Sequence, residues 1–437
     1  MLRALEPQTN PVSRERERGS ETRWYNRVEG IETPVPADHN VTALLHTVLA
    51  WLCQQPLDPV IMQITPWWWP RARSRPRGNQ LFVLLVLVTL SLAFVLLTTV
   101  HIRPGGTSCT TPIFLQNADP AEVAMYFTPR TQQVTYLVNR FLVEPDSRLI
   151  CNSAPDLLIL VPSPPGDIEV RDAVRQTWGS AVTGKWPFAD LTGKVALVFL
   201  LGHRGLAGGG GTNLTALREE SATHGDVLVG DFYDSYRNLT RKVLAGLNWA
   251  TQRCPQAKFV LKADQDSFVN VERLLNLLKD ISEVRPLSET MLGETLCTEP
   301  VVRDPTDRVT LDTGSYPFSM YPPYVRGGTY VLGGRLVPRL VNVSRYMPYL
   351  PVEDVFINGV LGRVLQVEHM HLPQVMQSVA CPMTPCLFVK AGHFTSTDVD
   401  PDLMRSIWKV LQSGPSHCDG LRFVFSHACA WVSSVIS

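Results

Sequence analysis

From Pro155 onward, short apolar runs alternate with amphipathic and polar stretches. "DLLILVPS" (Asp156 to Ser163) and "KVALVFLLG" (Lys194 to Gly202) are continuous rather than alternating, as strands buried on both faces of a parallel sheet are. Between them, "DIEVRDAVRQTWG" sets Val170, Val174 and Trp178 four apart, on one face of an amphipathic helix. "DVLVGDF", the helical stretch "SYRNLTRKVLAGLNWATQRC" and a strand opening at Phe259 follow. This order predicts an α/β domain with a mostly parallel central sheet. The glycine run Gly208 to Gly211 has no G-K-[ST] after it and leads into a sequon, so it reads as a surface loop.

The N-terminal part has a different texture. Residues 1–80 are polar and rich in Pro and Arg, and no domain is read there; with Met62 as an ordinary start, residues 1–61 would be an optional extension. From Leu81 to Val100 the chain carries no charge, and twenty residues at about 1.5 Å each span roughly 30 Å, a bilayer core. A buried soluble helix would show a polar side, whereas only Thr and Ser interrupt this run. Arg71, Arg73, Arg75 and Arg77 precede the span and only Arg103 closely follows it, so the positive-inside rule expects a cytosolic tail. A cleaved signal peptide would be shorter and nearer the start. The expected order is tail (1–80), transmembrane helix (81–100), lumenal stem (101–154) and folded domain (155–437).

Composition narrows the class. Of 437 residues 45% are hydrophobic, enough for a core. Forty basic and forty acidic side chains cancel, which gives no footprint for a nucleic acid. Eight of nine cysteines follow the span, so as many as four disulfides are expected in an oxidising lumen, their pairing open. Asn213, Asn238 and Asn342 begin sequons on the same side and are expected glycosylation sites.

Candidate chemistry concentrates in "FVLKADQDSFVNV" (Phe259 to Val271), where an apolar strand ends in Asp264 and Asp266. Unpaired buried charge is costly, so these acids need a cation, a base or open water. The C-terminal edge of an open α/β sheet is where ligands bind, and carboxylates there suit a hard divalent cation that in turn holds phosphates. Asp398, Asp400 and Asp402 repeat the spacing in "DVDPD" but follow no strand and read as a solvated loop. Glu353 and Asp354 precede an apolar helical stretch from Val355, where acids serve as caps or as a general base. His393 could complete a metal shell, with His369 and His371 as rivals.

Five blocks, "RDAVRQTWG", "GDVLVGDFYDSYRNLTRKVLAGLNWA", "FVLKADQDSFVNV", "YPPYVRGGTYVLG" and "VEDVFINGVLG", together resemble the inverting β1,3-galactosyltransferases and their β1,3-N-acetylglucosaminyltransferase relatives, type II Golgi membrane enzymes. The resemblance covers roughly residues 155 to 412. It implies a GT-A fold, a UDP-sugar donor, a glycan acceptor and Mn²⁺. By position, it implies that Asp264 and Asp266 bind the metal and the UDP diphosphate and that His393 joins the metal shell. It makes Asp354 the catalytic base, places Arg171 and Arg175 near the nucleotide, and sets Gly327 and Gly328 beside the sugar pocket. Gln265 stands where the family usually has the middle of three acids, and Thr329 where a third glycine is common. Glu353-Asp354 resembles the galactosyl branch, so UDP-galactose is the expected donor. UDP-N-acetylglucosamine, and a non-catalytic glycan-binding or partner role, stay open.

Overall fold

The computed structural model describes residues 118–152, 154–205, 211–372, 383–391, 393–414 and 418. The tail, the apolar run 81–100, the start of the stem and most of the glycine run lie outside them. Among the described residues no helix is long and apolar enough to cross a membrane.

Eight strands form the central sheet: β1 (Phe141–Val143), β2 (Leu157–Pro162), β3 (Val195–His203), β4 (Val227–Tyr233), β5 (Phe259–Ala263), β6 (Met291–Leu296), β7 (Tyr324–Gly333) and β8 (His369–His371). Their spatial order is β1-β4-β3-β2-β5-β7-β6-β8. The strands β4, β3, β2 and β5 are mutually parallel, as the apolar runs predict. β8 is parallel to β6, whereas β7 lies antiparallel to both β5 and β6, and β1 antiparallel to β4. The sheet is therefore mixed, with a parallel half and an antiparallel half meeting at β5.

Burial on both faces explains the unbroken hydrophobicity of β2. Leu158 and Leu160 point into one core with Val243, Leu244 and Leu247 of helix Leu239–Arg253. Leu157, Ile159 and Val161 point into the other with Val174, Leu274 and Ile407. Such side chains each contribute about 1.5–3 kcal/mol when fully buried. Gly246 lets the helix reach β3, because a Cβ there would stand 2.4 Å from Leu200.

Two sequence expectations shift. The helix after β2 is Ile168–Gln176; Trp178 opens a separate 3₁₀ turn and is fully buried all the same. Gly179 permits that break, since a Cβ would meet the Val174 carbonyl oxygen at 2.7 Å. The stem boundary at 154 is too late. Pro120–Phe127 is helical, β1 completes the sheet edge, and Tyr136 donates to the Ser344 carbonyl. Polar sequence around a three-residue strand hides this segment. Cys151–Cys254 and Cys386–Cys418 are disulfides, and Cys297 is also disulfide-bonded.

Candidate active site

Chain order places β3 and then β4 on one side of β2, while β5 returns to the other side. The crevice beyond the carboxyl ends of β2 and β5 is thus a topological switch point. β5 delivers Asp264 there: its N–H donates to the Gly328 carbonyl (2.9 Å), and its own carbonyl accepts from Ser267 (3.0 Å). Asp266 lies at the exposed tip of this turn. Its carbonyl accepts from Val399 (2.7 Å), which brings the Asp398 loop alongside. Protein packed around the Asp266 carboxyl, then the charges of Asp264 and Asp398, push its pKa up to about 6 although the residue reaches solvent. Asp398 thus belongs beside the acidic turn, which the linear sequence did not indicate, whereas Asp400 caps the helix Pro401–Ser413.

Behind the turn lies Lys262, a residue the apolar reading of β5 passed over. It is 1% exposed. Its ammonium donates to Asp264 Oδ1 (2.5 Å) and to the Gly327 carbonyl, and stands 3.6 Å from Glu353 Oε2. Burial opposes the charge, but Asp264 and then Glu353 more than offset it, so the lysine pKa is raised. Tyr330 of β7 donates to Glu353 Oε1 (2.5 Å). Burial pushes Glu353 up to about 7 against the pull of Lys262. Asp354 is raised by burial too, although the Val355 N–H and Lys262 act to lower it.

Asp354 takes the cap role read for it. Its Oδ1 accepts from Val355 N–H (2.8 Å) at the start of a π-helical turn, Val355–Leu361. Its Oδ2 faces Gly327, where a Cβ would stand only 2.8 Å away. Gly328 is equally confined, with Thr397 Cγ2 at 2.5 Å from such a Cβ. The glycine pair lets Asp354 and the 395–398 loop close on β7. Thr329 is buried and pairs with Thr395 (2.8 Å), so the hydroxyl occupies its place productively. Tyr236, 44% exposed and stacked under Arg308 at 4.6 Å, completes this edge, its phenol within the fields of Asp354 and Asp264. No sequence spacing announced it.

Other expected residues stand elsewhere. Arg171 is fully buried, spent on Glu220 (2.7 Å), Ser163 Oγ (3.0 Å) and the carbonyls of Pro164 and Pro165. Arg175 is bound by Asp226, Glu220 and Asp172. Arg171 therefore engages all five of its N–H donors and holds the loop after β2, whereas Arg175 ties its helix to Glu220 and Asp226. His393 is 3% exposed with its ring 6.2 Å from Phe388. Among the described residues no three His, Cys, Asp or Glu side chains are grouped to hold a metal, so His393 is not gathered with Asp264 and Asp266. His369 contacts the Asn358 carbonyl and His371 accepts from Thr295 N–H, tying down β8. Asn213 caps a helix and is exposed, Asn342 is exposed on a helix, and Asn238 is half-buried with its amide on the Tyr233 carbonyl (2.8 Å).

Residues 169–373 match the family model described as galactosyltransferase. Human "Beta-1,3-galactosyltransferase 5" is 32% identical over 279 residues, covering 62% of this chain and 83% of the relative. Rat "Beta-1,3-galactosyltransferase 4" is 34% identical over 285 residues, covering 59% and 73%. "UDP-GalNAc:beta-1,3-N-acetylgalactosaminyltransferase 1" of Mus musculus is 32% identical over 220 residues, covering 50% and 63%.

Proposed function

Since the chain belongs to the galactosyltransferase family and is a β1,3-glycosyltransferase, we propose that it moves galactose from UDP-galactose to the 3-hydroxyl of an acceptor glycan, with inversion. The observation that carries this reading is the seat of Asp354: a carboxylate of raised pKa held against Gly327, one lysine away from the acidic turn. In this reading the fold is of the GT-A type, and the enzyme is a single-pass type II protein of the Golgi membrane acting on glycoprotein or glycolipid glycans.

Asp354 accepts the proton of the acceptor 3-hydroxyl. The freed oxygen pair attacks the anomeric carbon from the face opposite UDP, and the bond to UDP breaks with its electrons passing to the diphosphate oxygen. A β linkage results from one displacement. Lys262, fixed by Asp264 and Glu353, keeps β5 and the Glu353–Asp354 turn in register so that base and donor meet.

The acidic turn offers the hard carboxylate oxygens that Mn²⁺ takes, from Asp264 and Asp266, although among the described residues no three such side chains are grouped to hold a metal. Asp264 and Asp266 would hold the ion. When bound, it supplies Lewis-acid neutralisation of charge on the departing diphosphate.

Acceptor-dependent UDP release tests the reading. UDP-galactose is expected to support it with Mn²⁺ and a suitable glycan, and Asp354→Asn to abolish it while UDP still binds. Release from UDP-N-acetylgalactosamine or UDP-N-acetylglucosamine alone would reassign the donor; no release from any would leave a non-catalytic lumenal protein.

A further inference from the structure

Gln265 interrupts the acidic turn, and both ends of its amide are bonded. The Ser163 hydroxyl donates to its Oε1 (2.7 Å), while its Nε2 donates to Asp167 Oδ2 (2.6 Å). Ser163 is completely buried at the carboxyl end of β2, receives Arg171 through its Oγ (3.0 Å), and gives its carbonyl to Lys242 (3.0 Å). The amide orientation follows from these partners. Turned over, it would set an oxygen against the Asp167 carboxylate and lose that bond.

We infer that Gln265 is a positioning residue whose neutral amide locks the acidic turn after β5 to the loop after β2, and that an acid at 265 is incompatible with Asp167. The two loops flank the switch point. Pro165, Gly166 and Ile168 of the first line a cavity of about 330 Å³ with Arg204, Thr212 and Ala216, whereas the second carries Asp264 and Asp266. On the reading proposed above, the nucleoside sits toward the first loop and the diphosphate toward the second, so the bridge sets the span a UDP must fit. A carboxylate at 265 could still accept from Ser163, but it has no proton for Asp167 and would oppose it at hydrogen-bond distance. Thus Gln265 marks a different way of holding the turn, in which amide and carboxylate occupy facing positions, and not a decayed metal site.

Such a pair works with its members exchanged. When Gln265→Glu is combined with Asp167→Asn, the amide introduced at 167 donates, and the carboxylate introduced at 265 accepts from both that amide and Ser163. Four full-length proteins decide it: wild type, Gln265→Glu, Asp167→Asn and the double variant, each purified in detergent. UDP affinity by calorimetry is expected to weaken on the order of tenfold in Gln265→Glu, less in Asp167→Asn, and to return to within about threefold of wild type in the double variant. In turnover, the donor KM of Gln265→Glu rises more than kcat falls. A Gln265→Glu protein that binds UDP as wild type does, or a double variant no better than Gln265→Glu, overturns the inference. If wild type itself binds no UDP, the proposed function falls, and melting temperatures judge the bridge alone: Gln265→Glu must lower the midpoint and Asp167→Asn must restore it, or the inference is wrong.

Discussion

Two charge clusters, one around Arg171 and Arg175 and one around Lys262, shift their acids in opposite directions. Around Arg171 and Arg175, two guanidiniums meet Glu220, Asp226 and Asp172. Burial would raise the Glu220 pKa, but both arginines overcome it and hold it below the ordinary glutamate range. Around Lys262, one ammonium serves Asp264 and Glu353 with Asp354 close by, and both Glu353 and Asp354 are held above their ordinary range. The first cluster, two cations to three acids, is the better balanced, and its Arg171 holds the loop after β2. The second carries more negative charge than its lysine can answer, which is the condition of a site prepared for a proton or a cation. Charge balance distinguishes them.

The two clusters should part most visibly at Asp354. Asp354→Asn should cut kcat by roughly 10²–10⁴ with UDP affinity retained, measured by turnover beside calorimetry. At the other cluster Glu220→Gln should cost about 3–5 kcal/mol by denaturant unfolding, because two buried arginines lose their shared partner, while turnover per folded molecule persists. Lost turnover with unchanged stability would instead return Arg171 and Arg175 to the nucleotide.

Titration separates the clusters again. Asp354 acts as a base only when ionised, so the raised pKa predicts an acid limb in kcat/KM above the ordinary aspartate value of 3.8, activity rising with pH through it. Glu220 runs the other way in stability. Its lowered pKa contributes stability that is present above 4.5 and lost as pH falls through the folded value, visible as a falling melting temperature. The smallest effect is expected at Thr329→Gly, about 1 kcal/mol for the lost pairing with Thr395, with turnover nearly intact.

The parallel half was legible from the chain because each of β2, β3 and β4 is buried on both faces and reads as one apolar run. β7 was quoted for its glycines, yet "YVRGGTYVLG" did not declare itself a strand: its middle, Arg326 to Gly328, is half-exposed where Asp354 and Thr397 approach. Asp264 and Asp266 stood out because they follow an apolar run, and Asp354 because it precedes one. Lys262 was not, since a single lysine inside a strand looks like an interruption until Gly327, 65 residues later, folds over it. The arginines were assigned from resemblance, and only the partners Glu220 and Asp226, supplied by the helix Leu214–His224 and the turn before β4, show what they pair with.

The Cys151–Cys254 bond joins residues 103 apart and closes a covalent ring around β2, β3, β4 and their helices, ending just before β5. A ring of that size restrains the unfolded chain by about 4–5 kcal/mol. The antiparallel half, with Lys262 and Asp354, lies outside it. That restraint falls on the segment carrying Ser163 and Asp167, so the two walls of one crevice differ in how far their unfolded chain is confined.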